Sequence, residues 1–235
     1  MKVSVFIPCY NEEHRLSVNL KKIQDALEEI THSYELILVD DNSSDRTGAL
    51  GKEIAKKNRH MVYIRFNKGP SRRENLAHAF SYAKANTIIF MDLDLSANLK
   101  DLRKLIGYIE QGYDIAFGSR YKGVAAERTA SRFVISKVYN AFIRFFFSSK
   151  IKDHQCGFKA FDKRKLFALL KEMGYDKTFV RGWFWDAELL IRAQRHGYAL
   201  KEFPIEWKEG KTSSFNFSRE LRMIPYVIKL WWKLR

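Results

Sequence analysis

Cysteine is nearly absent: Cys9 and Cys156 are the only two in 235 residues. That is too few for a disulfide framework and leads us to expect a reducing compartment. No run of about 20 apolar residues occurs, so no segment is expected to span a bilayer alone. No basic-then-apolar leader opens the chain either, because Met1-Lys2 runs straight into a strand-like segment. Internal repeats, low-complexity tracts and Pro/Gly/Ser-rich linkers are all missing, so one domain is the simplest organisation. A glycine-rich turn after the first apolar run is missing too, which argues against the usual phosphate cradle of a dinucleotide or P-loop site. What is present is a hydrophobic content of 46%, ample for a core and incompatible with disorder. A globular protein, soluble or peripheral to a membrane, is expected.

Charge is distributed unevenly. Residues 1–118 carry 17 Lys/Arg against 16 Asp/Glu, a net of +1, while residues 119–235 carry 25 against 11, a net of +14. The back half is therefore expected to meet an anion: nucleic acid, a phosphorylated ligand or an anionic membrane.

Val3–Ile7, Tyr34–Val39, Met61–Arg65, Thr87–Met91 and Asp114–Phe117 are short apolar or β-branched runs that read as buried strands. Between them Leu16, Leu20, Ile23, Leu27 and Ile30 share one helical face, as do Leu102, Leu105, Ile106 and Ile109. This alternation predicts an α/β fold with a mostly parallel sheet and flanking helices. Beyond Gly118 the pattern predicts a helix over Arg132–Phe147 and a strand over Gly157–Phe161. Helices near 163–173 and 186–196, a last strand over Leu200–Trp207 and a terminal helix over Pro225–Arg235 complete it.

In a parallel sheet ligands bind beyond the carboxyl ends of the strands, and here those ends are acidic. The second strand ends in Asp40-Asp41-Asn42-Ser43-Ser44-Asp45, and the fourth in Asp92-Leu93-Asp94-Leu95-Ser96. Asp92 and Asp94 can turn both carboxylates toward one hard cation, Mg²⁺ or Mn²⁺, although a turn or cap would use the same residues. Asp41 can accept from a base or from sugar hydroxyls, or simply form a turn or helix cap.

Three stretches in order, Phe6-Ile7-Pro8-Cys9-Tyr10-Asn11-Glu12-Glu13, Val39-Asp40-Asp41-Asn42-Ser43-Ser44-Asp45 and Met91-Asp92-Leu93-Asp94, resemble the signatures of family 2 glycosyltransferases of the GT-A fold. Farther on, Gly118-Ser119-Arg120-Tyr121, Asp153-His154-Gln155-Cys156-Gly157-Phe158-Lys159 and Phe184-Trp185-Asp186-Ala187-Glu188 resemble the polyprenyl (dolichyl) phosphate hexose synthases. The resemblance implies a GT-A, Rossmann-like sheet and transfer of glucose or mannose from UDP-glucose or GDP-mannose to a polyprenyl or dolichyl phosphate. By the same resemblance Pro8, Tyr10, Asn11, Glu12 and Asp41 would hold the nucleotide. Asp92 and Asp94, with Ser96 beside them, would hold the metal and diphosphate. The wording of the Gln-Cys-Gly-Phe-Lys stretch is closest to the glucosyl branch, and Ser96, where the mannosyl branch often has an amide, weakens the case for GDP-mannose.

One departure follows the third strand, where the family has small residues and this chain reads Arg72-Arg73. Arg73 is taken as a donor-phosphate contact, with the start of a solvated helix as the other reading. Arg120, Arg132 and Ser136 match acceptor-phosphate positions, with Asp153 and Gln155 shaping that side and Arg120 also serving catalysis. Arg132, Ser136, Asn140 and Arg144 recur every four residues, a polar stripe on an otherwise apolar helix. Lys208 and Lys211 belong to a loop that the resemblance makes mobile and able to close over the diphosphate. Cys156 is expected to be buried and inert, and His154 structural.

The donor half is expected over about 1–118 and the acceptor half over about 119–218, with 219–235 a C-terminal amphipathic helix. That helix mixes Tyr226, Val227, Ile228, Leu230, Trp231 and Trp232 with Arg222, Lys229, Lys233 and Arg235, an interfacial composition. The implied location is the cytoplasmic face of a membrane, on an anionic surface or against a membrane-protein partner. An acceptor hydroxyl, on a glycan or diacylglycerol, is the alternative and would need a general base such as Asp186 or Glu188. Nucleic acid as partner would explain the basic half but not acids at successive strand ends.

Overall fold

A computed structural model of the chain describes residues 2–67, 73–121, 126–127, 129–176, 178–208 and 222–235. The strands are β1 (Val3–Cys9), β2 (Tyr34–Asp40), β3 (Met61–Arg65), β4 (Thr87–Met91), β5 (Ile115–Ser119), β6 (Ala126–Glu127), β7 (Phe158–Asp162), β8 (Leu200–Pro204) and β9 (Trp207–Lys208). The helices are α1 (Leu16–Glu28), α2 (Thr47–Lys57), α3 (Arg73–Ala79), α4 (Leu102–Glu110), α5 (Ala130–Phe147), α6 (Lys163–Met173), α7 (Phe184–Arg195) and α8 (Ile224–Lys233).

Both faces of the central strands are apolar, so both must be covered. Val3, Val5, Ile7, Leu36 and Leu38 point to one side, where Leu16, Leu20, Ile23 and Leu27 of α1 and Leu102, Leu105 and Ile106 of α4 close over them. Phe6, Ile37, Val39 and Phe90 point to the other, under α3, α6 and α7. Each fully buried leucine in these layers contributes about 1.5–3 kcal/mol. A third cluster joins Ile143 and Phe147 of α5, Phe184, Ala187 and Ile191 of α7, and Met223, Tyr226, Val227 and Leu230 at α8. The terminal helix thus uses Tyr226, Val227 and Leu230 in its own core, while Ile224, Ile228 and Trp232 stay exposed.

The large sheet has the order β3-β2-β1-β4-β7-β5-β8. β1 pairs in parallel with β2 on one side and β4 on the other, so the chain reverses its direction of travel across the sheet at β1. A crevice opens beyond the carboxyl ends at such a point. β7 departs from the expected pattern, lying antiparallel between β4 and β5. Its beginning, not its end, therefore reaches the crevice. The expected strand over Leu200–Trp207 divides: β8 stays in the large sheet, and β9 pairs with β6 in a separate ribbon.

Candidate active site

Three strand ends turn sharply. Asn11 after β1, Asn42 after β2 and Leu95 after β4 adopt φ of 55°, 64° and 57°. Left-handed backbone is unfavourable for a residue with a side chain, most of all a leucine, and such strain collects at functional turns. The turns are stitched to each other. Asn11 N–H donates to Ser43 Oγ at 3.0 Å, Ser44 N–H to Asn11 Oδ1 at 2.8 Å, and Glu12 N–H to Thr47 Oγ1 at 2.7 Å. Of the consecutive aspartates, Asp40 is occupied by Tyr63 and the Ser43 N–H. Asp41, equally buried, accepts from Asn75 of α3. Pro8, Tyr10 and Glu12 are half-buried along the same edge, and Glu12 pairs with Arg15.

Asp92 and Asp94 lie at the end of β4, with Met91, Leu95, Ala97, Gly157, Phe158 and Trp207 lining the same recess. The Asp92 N–H donates to Gly157 O at 3.1 Å. A Cβ on Gly157 would stand 1.8 Å from Asp92 Oδ2, so any side chain there would displace that carboxylate from its present position. The Asp92 side chain keeps 36% exposure, yet its carboxyl is pushed up to about 6. Desolvation is the main cause; Arg73 opposes it, and Asp94 and Asp186 add to it. Asp94 Oδ1 accepts the Ser96 N–H at 3.0 Å, and Ser96 O accepts the Lys208 N–H at 2.8 Å, which brings the predicted Lys208 to the acidic turn. Lys211 lies outside the described residues.

No group of three or more His, Cys, Asp or Glu side chains that could hold a metal occurs among the described residues. Two carboxylates at the mouth of a crevice nevertheless fit an ion of the Mg²⁺ or Mn²⁺ kind, which takes its remaining oxygens from water and substrate phosphate.

On the far side of β4 the charged residues engage one another. Arg73 Nε donates to Asp186 Oδ2 at 2.7 Å and Lys159 Nζ to Asp186 Oδ1 at 2.8 Å. Lys159 also donates to Cys156 O. Asp186 therefore does not cap α7 but joins two buried cations. Arg120, at the end of β5, forms a two-pronged pair with Asp153: Nε to Oδ2 at 2.7 Å and Nη2 to Oδ1 at 2.8 Å, with its backbone N–H on Oδ2 at 3.0 Å. Burial opposes the Arg120 charge, but the Asp153 carboxylate outweighs it and holds Arg120 above its ordinary value. These two predicted acceptor contacts are thus first of all partners of each other. Gln155 donates its backbone N–H to Asp153 at 3.3 Å.

The polar stripe of α5 splits. Ser136 meets the Tyr121 hydroxyl, Asn140 Oδ1 accepts from the ring and backbone of His154, Arg132 is half-buried, and Arg144 faces solvent. His154, with Ser149 Oγ 2.8 Å from its other ring nitrogen, is structural as expected. Burial lowers its pKa to about 4. Cys156 is buried and its thiol is pushed up to about 12, again by desolvation. Glu188 is tied to Arg181, Arg192 and Tyr226.

Sequence reasoning did not single out Asn75, Lys159, Trp183 or Trp207 as site residues. Lys159 carried a usable signal, a lysine inside an otherwise apolar strand; the others are brought in by tertiary folding.

The Glycosyl transferase family 2 model matches residues 4–169. Glycosyltransferase AglD of Haloferax volcanii is 32% identical over 239 residues, covering 100% of this chain and 38% of that protein. Dolichyl-phosphate beta-glucosyltransferase of Saccharomyces cerevisiae is 30% identical over 231 residues, covering 88% of this chain and 67% of its own length. The chain thus spans little more than a third of the first relative. Among solved structures, glucosyl-3-phosphoglycerate synthase from Mycobacterium tuberculosis, in complex with Mn²⁺, uridine diphosphate and glucosyl-3-phosphoglycerate, has a TM-score of 0.65 at 19% identity. It covers 97% of this chain and 77% of that one. At that identity the likeness speaks for the fold.

Proposed function

The chain belongs to glycosyl transferase family 2, and from that membership we propose that it moves a hexose from a nucleotide sugar to a polyprenyl or dolichyl phosphate with inversion at the anomeric carbon. The single observation that carries this reading is the state of Asp186. A hydroxyl acceptor needs a carboxylate to take its proton, but both oxygens of Asp186 accept from buried cations, Arg73 and Lys159. Glu188, the other acid of that stretch, is fully buried among Arg181, Arg192 and Tyr226. A phosphate monoester, with a second pKa of about 6, is already ionised and needs no base.

In this reading Pro8, Tyr10, Asn11, Glu12 and Asp41 hold the nucleotide. Asp92 and Asp94, beside Ser96, would hold a divalent ion, which when bound neutralises charge on the diphosphate. Arg120, Arg132 and Ser136 receive the acceptor phosphate. Asp153 fixes the Arg120 fork, and among the described residues Arg120 Nη1 makes no hydrogen bond, leaving it for the acceptor. The acceptor oxygen forms its bond to the anomeric carbon as the bond to the nucleoside diphosphate breaks on the opposite side. Positioning and charge neutralisation then supply most of the rate. The yeast relative's name favours glucose, hence UDP-glucose over GDP-mannose.

A lipid acceptor calls for a membrane nearby. No helix among the described residues is long and apolar enough to cross one. Val134, Ile135, Val138, Phe142 and Phe145 of α5 and Ile228 and Trp232 of α8 are exposed large hydrophobics. With the basic surface around them they suit peripheral contact with an anionic leaflet, on the cytoplasmic side, or with a membrane-protein partner.

The test is to supply Mg²⁺ or Mn²⁺, polyprenyl phosphate and a panel of nucleotide sugars and to identify the lipid product. A β-linked hexosyl phosphate from an α-linked donor is expected. An α-linked product removes single displacement, and transfer to a glycan or diacylglycerol but not to lipid phosphate removes the acceptor.

A further inference from the structure

Arg73 is 4% exposed, a costly place for a cation whose donors are not all used. Its Nε is bound to Asp186, and its guanidinium carbon lies 4.4 Å from the centre of the Phe90 ring and 5.0 Å from that of Trp183. Among the described residues no hydrogen bond engages Nη1 or Nη2. Nη1 stands 4.0 Å from Asp92 Oδ1, close enough for attraction and too far for a hydrogen bond. Lys159 holds the other oxygen of Asp186 and is itself 1% exposed, so the tether is anchored from behind. Arg73 and Lys159 share the Asp186 carboxylate, and the outer end of Arg73 lies beside Asp92, which lines the recess with Asp94.

A planar cation fixed by its inner nitrogen, packed near two rings and with an outer nitrogen beside a carboxylate that lines the recess, has the fork needed to receive an oxyanion with two oxygens to offer. We propose that Arg73 is a preformed clamp for a phosphate of the donor's diphosphate, holding the nucleotide even without a divalent ion. The inference rests on the donor reading above and deepens it. Where the resemblance leads one to expect a small side chain, this chain has placed a permanent cation, so part of the charge neutralisation is covalent and does not depend on the metal supply. Asp186 is then a positioning residue, acting through Arg73.

The experiment is calorimetric titration of the full chain with uridine diphosphate at fixed salt, once in excess chelator and once in Mn²⁺. The wild type is expected to bind measurably in chelator. Arg73→Gln is expected to weaken that binding about ten- to a hundredfold, the usual loss for a charge-assisted contact, and to weaken it less in Mn²⁺. Arg73→Lys keeps the charge without the fork and is expected to recover only part of the loss. Asp186→Asn, which loosens the tether without touching the ligand, is expected to fall between. Circular dichroism and thermal melting screen for folding; should Arg73→Gln unfold, Arg73→Lys and Asp186→Asn decide. Equal affinities for the folded variants and the wild type in chelator overturn the clamp. A loss of affinity for a short isoprenyl phosphate with uridine diphosphate binding intact would move Arg73 to the acceptor and overturn it as well. A wild type that binds neither uridine nor guanosine diphosphate, with or without Mn²⁺, overturns the donor reading itself.

Discussion

Along β1, β2 and β4 the polar side chains at the strand ends are spent on neighbouring turns, whereas from β5 onward the charged side chains bury themselves in pairs. The front half ties its loops to one another mainly through bonds from backbone N–H groups to side chains, such as Asn11 to Ser43 and Ser44 to Asn11, and leaves Asp92 and Asp94 facing the crevice. The back half, with its excess of positive charge, sets Arg120 on Asp153, Lys159 on Asp186 and Arg192 on Glu188, all nearly inaccessible. In the proposed reading the front half is completed by a ligand. Much of the back half's charge near the crevice is already completed by the protein, so a basic sequence there means internal order as much as anion binding.

Removing an uncompleted group should cost function, and removing a completed one should cost folding. The largest effect is expected from Asp94→Ala: transfer falls about a thousandfold or more, as when several kcal/mol of charge stabilisation disappear, while the melting temperature holds. Full activity of that variant in excess chelator would erase the distinction.

Arg120→Ala and Arg132→Ala should then part company. Arg120→Ala strands the fully buried Asp153 carboxylate, and removing one partner of a buried pair costs about 3–5 kcal/mol of stability. Arg132→Ala should keep the fold and raise the acceptor Michaelis constant about ten- to a hundredfold. Denaturant melts and acceptor kinetics on both variants read this directly; equal stabilities would show that the Arg120–Asp153 pair is held for binding alone.

His154 gives the comparison a pH axis. Burial holds its pKa near 4, below the ordinary value of about 6.5. Between those values the unfolded chain binds a proton that the folded chain refuses, so stability falls as pH drops through that window. The contribution is about 3 kcal/mol at its full extent. Asp92, whose carboxyl is raised, acts in the opposite sense at acid pH, so the informative quantity is the difference between wild type and His154→Gln. That difference should be independent of pH well above 6.5 and change as pH falls toward 4; a difference that stays flat down to pH 4 would mean that His154 is not held neutral.

The smallest perturbation is one methyl group. Gly157→Ala would push a Cβ into the Asp92 carboxylate. The side chain can swing aside, so stability should change little, but a displacement of about 1 Å at a reacting centre commonly costs a hundredfold in rate. A variant with normal rate and normal metal affinity would show that Asp92 need not stay where it is.

Much of this arrangement is legible in the sequence. Alternating apolar runs are enough to lay down β1 to β5, because strands buried on both faces leave little room for other residues, and the acids that interrupt those runs mark the crevice. Antiparallel β7 was hidden, since Phe158–Phe161 has the same pattern whichever way the strand runs. The Arg73–Asp186–Lys159 cluster was hidden for another reason: Arg73 and Asp186 stand 113 residues apart, and no local period reports a contact set by topology. The terminal helix shows a composition with two uses, since its aromatic residues serve the core through Tyr226 and leave Trp232 outside.

The reversed course of β7 has a consequence for how this protein tolerates change. In β1 and β4 the chain moves toward the crevice, so variation becomes less forgiving toward Cys9 and Met91. In β7 the order inverts: Phe158 lines the recess, and Asp162 sits at the opposite edge, capping α6 through the Lys165 N–H at 3.1 Å. Insertions, tags or a new chain terminus placed just after β7 therefore fall on the side away from the recess, whereas the same alteration just after β4 would fall beside Asp92 and Asp94.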